Sequence, residues 1–269
     1  MMVESVTTNH LESSDTVVRL VDIHKRFDSL VVLNGINLTL KKGKTTVVIG
    51  ESGAGKSVLL SHIVRLTRPD RGEVYFRDMR IDNMSERQLS RIRPRFGFLF
   101  QLSALFDSMS VGENVGFPVV EHTRKSRREI EKIVREKLAM VGLDGTQNKW
   151  PSQLSGGQKK RVALARAIAL DPELILYDEP TTGLDPPRAD EINELILKLQ
   201  RELGVTSVVV THDMASARKV ADRIVMLYRG DFIFDGTPDS IESCKDQRVR
   251  CFVQGRCAPD VLRSLQESA

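Results

Sequence analysis

A short glycine-rich segment carries the clearest chemical signal in the sequence. Residues 50–57, GESGAGKS, match G-x-x-x-x-G-K-[ST], in which glycines let successive backbone N–H groups converge on one anion. A helical pattern follows, so a helix N-terminus adds its positive dipole end. We expect Lys56 to reach the outer phosphates of a nucleotide and the Ser57 hydroxyl to bind Mg²⁺; the alternative is a structural glycine turn. The residues predicted to contact the phosphates are Gly50, Glu51, Ser52, Gly53, Ala54, Gly55, Lys56, Ser57 and Val58.

Two acids and a histidine stand where the remainder of a phosphate-cleaving site is needed. Asp178 and Glu179 follow the apolar run at residues 174–177, and His212 follows another run at residues 207–210. Asp178 is predicted to bind Mg²⁺ through water, and Glu179 to accept a proton from the attacking water. His212 could polarise the γ-phosphate or hold that water. A polar strand end or a lone histidine is often structural, and it is the combination with the glycine-rich segment that favours function.

The apolar runs that position these residues predict a mainly parallel sheet. Residues 45–49, 174–177 and 207–210 are largely apolar, which is typical of strands covered on both faces. Each ends in polar residues and precedes a turn or a helical pattern, as in a sheet flanked by helices. Because the carboxyl ends of parallel strands meet at one edge, the chemistry-bearing residues are expected together there. Alternation at residues 36–40 predicts a half-buried strand, and residues 224–234 predict a hairpin.

Helical periodicity predicts an insertion of helices into this core at about residues 101–165. Apolar residues recur at helical spacing between residues 130 and 141. Ser155 and Gln158 occupy the positions of a capping box, which predicts a helix from Ser155 to Leu170. The apolar side chains near the start of the insertion have two interpretations, a docking groove for a partner or part of the core. They are Leu102, Leu105 and Phe106.

Composition limits the classes of function. The 40 Lys and Arg against 36 Asp and Glu give a net charge of +4, too mild to indicate a nucleic-acid binder. No run approaches the roughly 18 apolar residues of a membrane helix, and residues 1–15 lack a signal-peptide pattern. Cys244, Cys251 and Cys257 lack the C-x-x-C spacing of a metal site, so we expect reduced thiols in a cytosolic protein. Any membrane role is therefore expected to come through a partner.

A second motif narrows the class. Residues 154–158, LSGGQ, resemble the signature of ATP-binding-cassette (ABC) ATPases, and the resemblance extends over residues 17–240. It implies that Phe27 stacks on adenine, that Gln101 touches Mg²⁺ and senses a permease, and that Gly183-Leu184-Asp185 form the D-loop. It also implies that His212 is the switch histidine. The additional ATP contacts that it implies are Gln101, Ser155, Gly156, Gly157, Gln158 and Asp185.

The resemblance implies an architecture and partners. The expected fold is an α/β phosphate-loop core with a mainly parallel sheet, an N-terminal antiparallel β subdomain and an inserted helical subdomain. Two copies would hold two ATP molecules between them, with Ser155, Gly156 and Gly157 acting on the nucleotide of the other copy. The implied function is Mg-dependent ATP hydrolysis that drives a separate integral-membrane permease from the cytoplasmic face of the inner membrane. No direct nucleic-acid partner is expected.

A finer resemblance concerns the kind of transporter. Residues 100–118, with ALFDS after Gln101, then residues 121–123 and 248–252, are similar to the ATPases of MCE-type (Mla) phospholipid transport between bacterial membranes. That subgroup implies an MCE-domain partner and a small STAS-domain regulator. Three alternatives remain: an importer ATPase for amino acids or other small solutes, a non-transport ABC protein acting on nucleic acid or ribosomes, and a cassette that binds ATP without cleaving it. Lys56, Asp178, Glu179 and His212 together argue against the last.

The sequence predicts three segments along the chain. Residues 1–16 are expected to form a flexible tail, residues 17–240 the ATPase domain, and residues 241–269 a C-terminal tail whose candidate role is a dimer or partner contact. The three cysteines of this last segment depart from the pattern expected of the subgroup.

Overall fold

The computed structural model describes residues 15–256, whose strands form two sheets. A four-stranded antiparallel sheet has the order β2-β1-β4-β5, and a six-stranded sheet has the order β10-β9-β3-β8-β7-β6. The strands are β1 (Thr16–Phe27), β2 (Leu30–Lys41), β3 (Thr45–Ile49), β4 (Arg71–Phe76), β5 (Met79–Arg80), β6 (Phe96–Leu99), β7 (Leu174–Asp178), β8 (Thr206–Thr211), β9 (Arg223–Tyr228) and β10 (Asp231–Gly236). Within the larger sheet only β10 pairs antiparallel, as the predicted hairpin with β9.

Helices cover the larger sheet and form the insertion. They are α1 (Lys56–Ile63), α2 (Glu86–Leu89), α3 (Val111–His122), α4 (Arg127–Met140), α5 (Gly156–Ala167), α6 (Pro186–Leu203), α7 (Met214–Val220) and α8 (Gln247–Gln254). The predicted fold class, an α/β phosphate-loop core with an antiparallel β subdomain and inserted helices, is confirmed.

The larger sheet is apolar on both faces because helices or a second sheet lie on each side. In β3, Val47 and Ile49 belong to one core cluster and Val48 to the other, as the two-residue period of a strand requires. The first cluster joins the sheet to α3, α4, α5, α6 and α7. The second joins it to α1 and to the antiparallel sheet. This double coverage explains the continuous apolar runs in the sequence.

The inserted helices begin at well-defined caps. Ser110 with Glu113, Ser126 with Glu129, and Ser155 with Gln158 each form a capping box, at the starts of α3, α4 and α5. Of the apolar residues before α3, Leu105 belongs to the core, whereas docking of a partner at Leu102 and Phe106 stays a prediction. Leu102 is 89% exposed, whereas Leu105 packs against the core. Phe106 is 42% exposed and its ring lies 5.0 Å from that of Phe117.

The two predicted tails are only partly described. Residues 1–14 and 257–269 lie outside the described residues, and Thr16 already begins β1. Within residues 241–256, Ile241 and Val249 are buried against the core, and α8 is capped by Asp246. Cys244 is a free thiol, whereas Cys251 is disulfide-bonded, so the expectation of reduced thiols is wrong at that position. No helix within residues 15–256 is long and apolar enough to cross a membrane.

Candidate active site

The site lies at the carboxyl edge of the larger sheet. There the chain leaves β3 into the glycine-rich segment, β6 toward Gln101, β7 toward Glu179 and β8 toward His212. These four strands are parallel to their neighbours within the sheet, so their ends open on the same side. Four segments that are distant in sequence are thereby brought to one place.

The glycine-rich segment is shaped to bind an anion. Gly55 has a φ of 97°, and a Cβ there would lie 2.7 Å from Cγ1 of Val32, so a larger residue is disfavoured twice. No side chain of the described residues caps α1, whose N-cap is Gly55. The first-turn amides of α1 thus remain as donors at the positive end of the helix dipole. Lys56 is 6% exposed and donates to Gly50 O at 2.8 Å and to Glu51 O at 2.9 Å.

Ser57 and Asp178 form a pair of oxygen ligands suited to Mg²⁺. Ser57 Oγ donates to Asp178 Oδ1 at 2.9 Å. Burial raises the pKa of Asp178, and the hydrogen bond from Ser57 opposes that rise. A cation beside Asp178 would stabilise its charged form. At nucleotide sites Mg²⁺ binds one or two carboxylates together with phosphate oxygens and water. Asp178 supplies a carboxylate and Ser57 a hydroxyl, so these residues fit the ion.

Glu179 is the most tightly held acid of the site. It is 8% exposed, its φ is 48°, and its N–H donates to Val210 O at 3.0 Å. His212 Nδ1 lies 2.9 Å from Glu179 Oε2, and Lys56 Nζ lies 3.5 Å from Oε1. Thr182 Oγ1 donates to Oε2 at 3.1 Å. A carboxylate anchored in this way is placed to accept a proton from a water bound beside the phosphates.

The structure places the other predicted residues in three separate positions. Gln101 is exposed, and its carbonyl accepts a hydrogen bond from Lys160 at 3.0 Å. Phe27 ends β1, is 47% exposed, and has Lys25 Nζ 5.3 Å from its ring centroid. Asp185 caps α6, accepting from Arg188 N at 3.1 Å.

The signature residues Ser155 to Gln158 lie apart from the phosphate-binding segment of the same chain. Ser155 and Gln158 bond to each other, and among the described residues no hydrogen bond or ion pair joins residues 155–158 to the cluster formed by Lys56, Ser57, Asp178, Glu179 and His212. Ser155 and Gly156 are exposed at the N-terminus of α5. One chain therefore holds two half-sites that do not touch each other.

Sequence reasoning missed three residues that hold the site together: Lys160, Arg166 and Thr182. Lys160 stands in the basic run at residues 159–161, which by itself indicates a solvated face. Its spacing from Gly157 and Leu164, three and four residues along one helix face, places it on the buried side. That spacing was the signal available. Burial lowers the pKa of Lys160, while the charges of Glu179 and Asp178 oppose the shift.

Comparison with known proteins assigns this arrangement to a class. A family model described as ABC transporter matches residues 33–182, and the chain belongs to that family. The dimeric structure of a post-hydrolysis state of the ATP-binding cassette MJ0796 bound to ADP and Pi matches with a TM-score of 0.76 at 37% identity. That match covers 82% of this chain and 98% of the other. The predicted resemblance to ABC ATPases is confirmed.

Two relatives show how far the similarity extends within the family. The intermembrane phospholipid transport system ATP-binding protein MlaF of Haemophilus influenzae is 43% identical over 225 residues, which are 84% of this chain and 85% of that protein. The probable ribonucleotide transport ATP-binding protein mkl of Mycobacterium tuberculosis is 42% identical over 232 residues, 86% of this chain. This chain spans 65% of the length of the latter relative. The expected similarity to Mla-type ATPases is thus confirmed in the sequence.

Proposed function

We propose that this protein is the ATP-hydrolysing subunit of an ABC transporter, which energises a separate membrane permease. The observation that carries the proposal is the convergence of five side chains at the sheet edge: Ser57 is hydrogen-bonded to Asp178, and Glu179 contacts both His212 and Lys56. Each of these groups has a role in cleaving the bond to a γ-phosphate, and their mutual distances allow them to act on one nucleotide.

The roles follow from charge and geometry. Lys56 and the first-turn amides of α1 bind the phosphates, with Phe27 as the stacking surface for adenine. Ser57, Asp178 and Gln101 are the residues that would hold Mg²⁺, and the ion would supply positive charge to balance the phosphate oxygens. Glu179 takes the proton of the attacking water, and His212 orients the carboxylate and the γ-phosphate.

The active unit is a homodimer with two ATP molecules between the copies. Ser155 and Gly156 are exposed, and within the described residues no hydrogen bond or ion pair joins residues 155–158 to the phosphate-binding cluster, so in the proposed dimer Ser155, Gly156 and Gly157 complete the site of the other copy. Exposed amides at the start of α5 are suited to bind that copy's γ-phosphate. The dimeric solved structures of similar cassettes support this arrangement. Asp185, at the N-terminus of α6, lies on the segment that follows Glu179 toward the same interface.

The transported material is proposed to be phospholipid, moved between bacterial membranes. The similarity to MlaF over most of both chains supports this proposal, and so does the ALFDS segment after Gln101. The protein would lie on the cytoplasmic face of the inner membrane with a permease, an MCE-domain protein and a STAS-domain regulator as partners. A small-solute transporter is the second candidate, because the similar mycobacterial protein is named for probable ribonucleotide transport.

One experiment separates these candidates. The tagged protein is purified from detergent-solubilised native membranes, and co-purifying proteins and lipids are identified by mass spectrometry. A permease with an MCE-domain protein and bound phospholipid is the expected result. A permease with a periplasmic solute-binding protein would replace the phospholipid proposal by the solute one. Nucleic acid or ribosomes in place of any permease would contradict a role in transport.

A further inference from the structure

Helix α5 carries two basic side chains that turn inward onto the segment after β6, residues 100–106, here called the Gln101 loop. Lys160 Nζ donates to Gln101 O at 3.0 Å. One and a half turns further along, Arg166 donates to Ser103 O at 2.8 Å and to Ala104 O at 2.7 Å. The beginning and the middle of the Gln101 loop are therefore bound to the helix that begins with the signature residues.

Lys160 makes a second contact that Arg166 does not. Its Nζ lies 3.3 Å from Glu179 O, so one ammonium group joins the carbonyl of Gln101 to that of Glu179. Lys160 is 5% exposed, which means that few water molecules compete for its three N–H donors. The hydrogen bonds of a buried charged group are stronger than those of an exposed one, because the dielectric constant of the protein interior is lower.

The backbone that receives these bonds has an uncommon conformation. Glu179 has a φ of 48°, Ser103 of 64° and Ala104 of 47°, and none of them is glycine. Such residues persist in the left-handed region only where surrounding contacts fix them. At Glu179 the conformation directs the carboxylate toward His212 and Lys56. The carboxylate is fixed by Thr182 and His212, and the carbonyl by Lys160.

We infer that Lys160 is a positioning residue for ATP hydrolysis, which fixes the Gln101 loop and the backbone of Glu179 at one separation. The inference rests on the proposed ATPase function. Through Lys160, a displacement of the exposed Gln101 loop changes the backbone position of Glu179 without passing through the nucleotide. Lys160 also lies on α5, the helix whose first residues are proposed to contact the other copy. The contacts of Lys160 are with the backbone carbonyls of Gln101 and Glu179, so its effect on hydrolysis would pass through Glu179.

The test compares turnover with nucleotide affinity in the full-length protein. Lys160→Met keeps a long unbranched side chain and removes every donor, so we expect kcat to fall at least about tenfold, equivalent to about 1.4 kcal/mol of activation free energy. The dissociation constant for a fluorescent ATP analogue should stay within about twofold, because the phosphate contacts are unchanged. Lys160→Arg keeps a buried cation with several donors and should restore most of kcat. Lys159→Met, on the partly exposed neighbouring position, is the matched control and should behave as wild type.

Each outcome decides the inference. An unchanged kcat in Lys160→Met overturns it, as does an equal loss of kcat and of ATP affinity, which indicates a general structural role. Failure of Lys160→Arg to recover activity also overturns it. If Lys160→Met is insoluble, Lys160→Gln is measured against the same criteria. Wild-type protein that does not hydrolyse Mg-ATP would instead contradict the proposed function, so the two failures are distinguishable.

Discussion

The carboxylate of Glu179 depends on contacts from separate parts of the chain. His212 comes from the end of β8, Lys56 from the start of α1, and Thr182 from the turn after Glu179 itself. Since the Glu179 side chain is 11% exposed, its charge is balanced mainly by these neighbours rather than by water. The proposed base is thus held in a defined position by the protein's own contacts, as proton transfer from a bound water requires.

If Lys56 binds the phosphates of ATP, its removal should weaken ATP binding and not only slow hydrolysis. Lys56→Ala removes a buried cation that charge-assisted hydrogen bonds would join to the phosphates. Such bonds contribute about 1.5–3 kcal/mol, so ATP affinity should fall roughly 10- to 100-fold. Isothermal titration with ATP measures the change, and Lys42→Ala, at an exposed lysine, is the control. Equal affinity in Lys56→Ala and wild type would contradict the assignment of Lys56.

Residue types and spacing were enough to predict the members of this cluster, but not how they are held. The motif at residues 50–57 and the acids at a strand end have fixed sequence relations, so they could be found without coordinates. The left-handed backbone of Glu179, Ser103 and Ala104 could not, since none is glycine and the conformation results from tertiary contacts. The bridge from Lys160 to two carbonyls depends on the packing of α5 against the sheet edge.

At the scale of elements, Asn114 fixes the connection between the Gln101 loop and α3. It is fully buried, accepts from Phe106 N at 2.8 Å and donates to the carbonyls of Phe106, Met109 and Ser110 at 3.0–3.1 Å. For Phe106 N and Met109 O these bonds supply partners outside any sheet or helix, whereas the carbonyls of Phe106 and Ser110 also accept backbone bonds. The segment before α3 thus has a defined shape although it has no regular secondary structure.

The expected consequence of removing this side chain is a loss of stability. Asn114→Ala removes the side-chain partners of the partly buried Phe106 N and Met109 O, which should lower the free energy of unfolding by about 1–3 kcal/mol. Urea denaturation followed by circular dichroism measures the difference. Asn148→Ala, at an exposed asparagine near the end of the insertion, should change stability by less than about 0.5 kcal/mol. Similar midpoints for both variants would show that the buried bonds do not contribute.

The strands of the parallel sheet were predictable because double coverage leaves continuous apolar runs. The antiparallel sheet was harder to predict, since β1 pairs with β4 across some sixty residues, with Val18 opposite Phe76. Its irregular register, with shifts between Val21 and His24, also weakens the two-residue period.

At the scale of the whole molecule, the separation of the two half-sites agrees with the proposed dimer, in which each copy completes the site of the other. Ser155 and Gly156 face solvent, while the cluster around Glu179 lies at the sheet edge. ATP bound to one copy and contacted by the other would stabilise the dimer by mass action, and cleavage would remove part of that contact. In the proposed dimer, ATP binding would bring the two copies together and ATP hydrolysis would let them separate.

A charge placed at Gly156 should block this association without harming the fold. A Cβ at Gly156 would have Leu184 Cδ2 as its nearest neighbour, at 3.9 Å, so the monomer accommodates a side chain there. In Gly156→Asp the new carboxylate would face the phosphates of the other copy and repel them. In a Glu179→Gln background with Mg-ATP, light scattering should give a dimer, and adding Gly156→Asp should give a monomer of unchanged melting temperature. A dimer in the double variant would contradict the placement of the signature residues across the interface.

The most direct test of the proposed ATPase mechanism compares steady-state hydrolysis of Mg-ATP by wild-type protein and by Glu179→Gln. The affinity for ATP is measured in parallel. The substitution keeps the size of the side chain and its contacts with His212 and Thr182, but removes the proton acceptor. We expect wild-type protein to hydrolyse Mg-ATP. In Glu179→Gln we expect kcat to be lower by about 100-fold or more, while ATP affinity is retained. Equal turnover by the two proteins would contradict the role of Glu179 and the mechanism built on it.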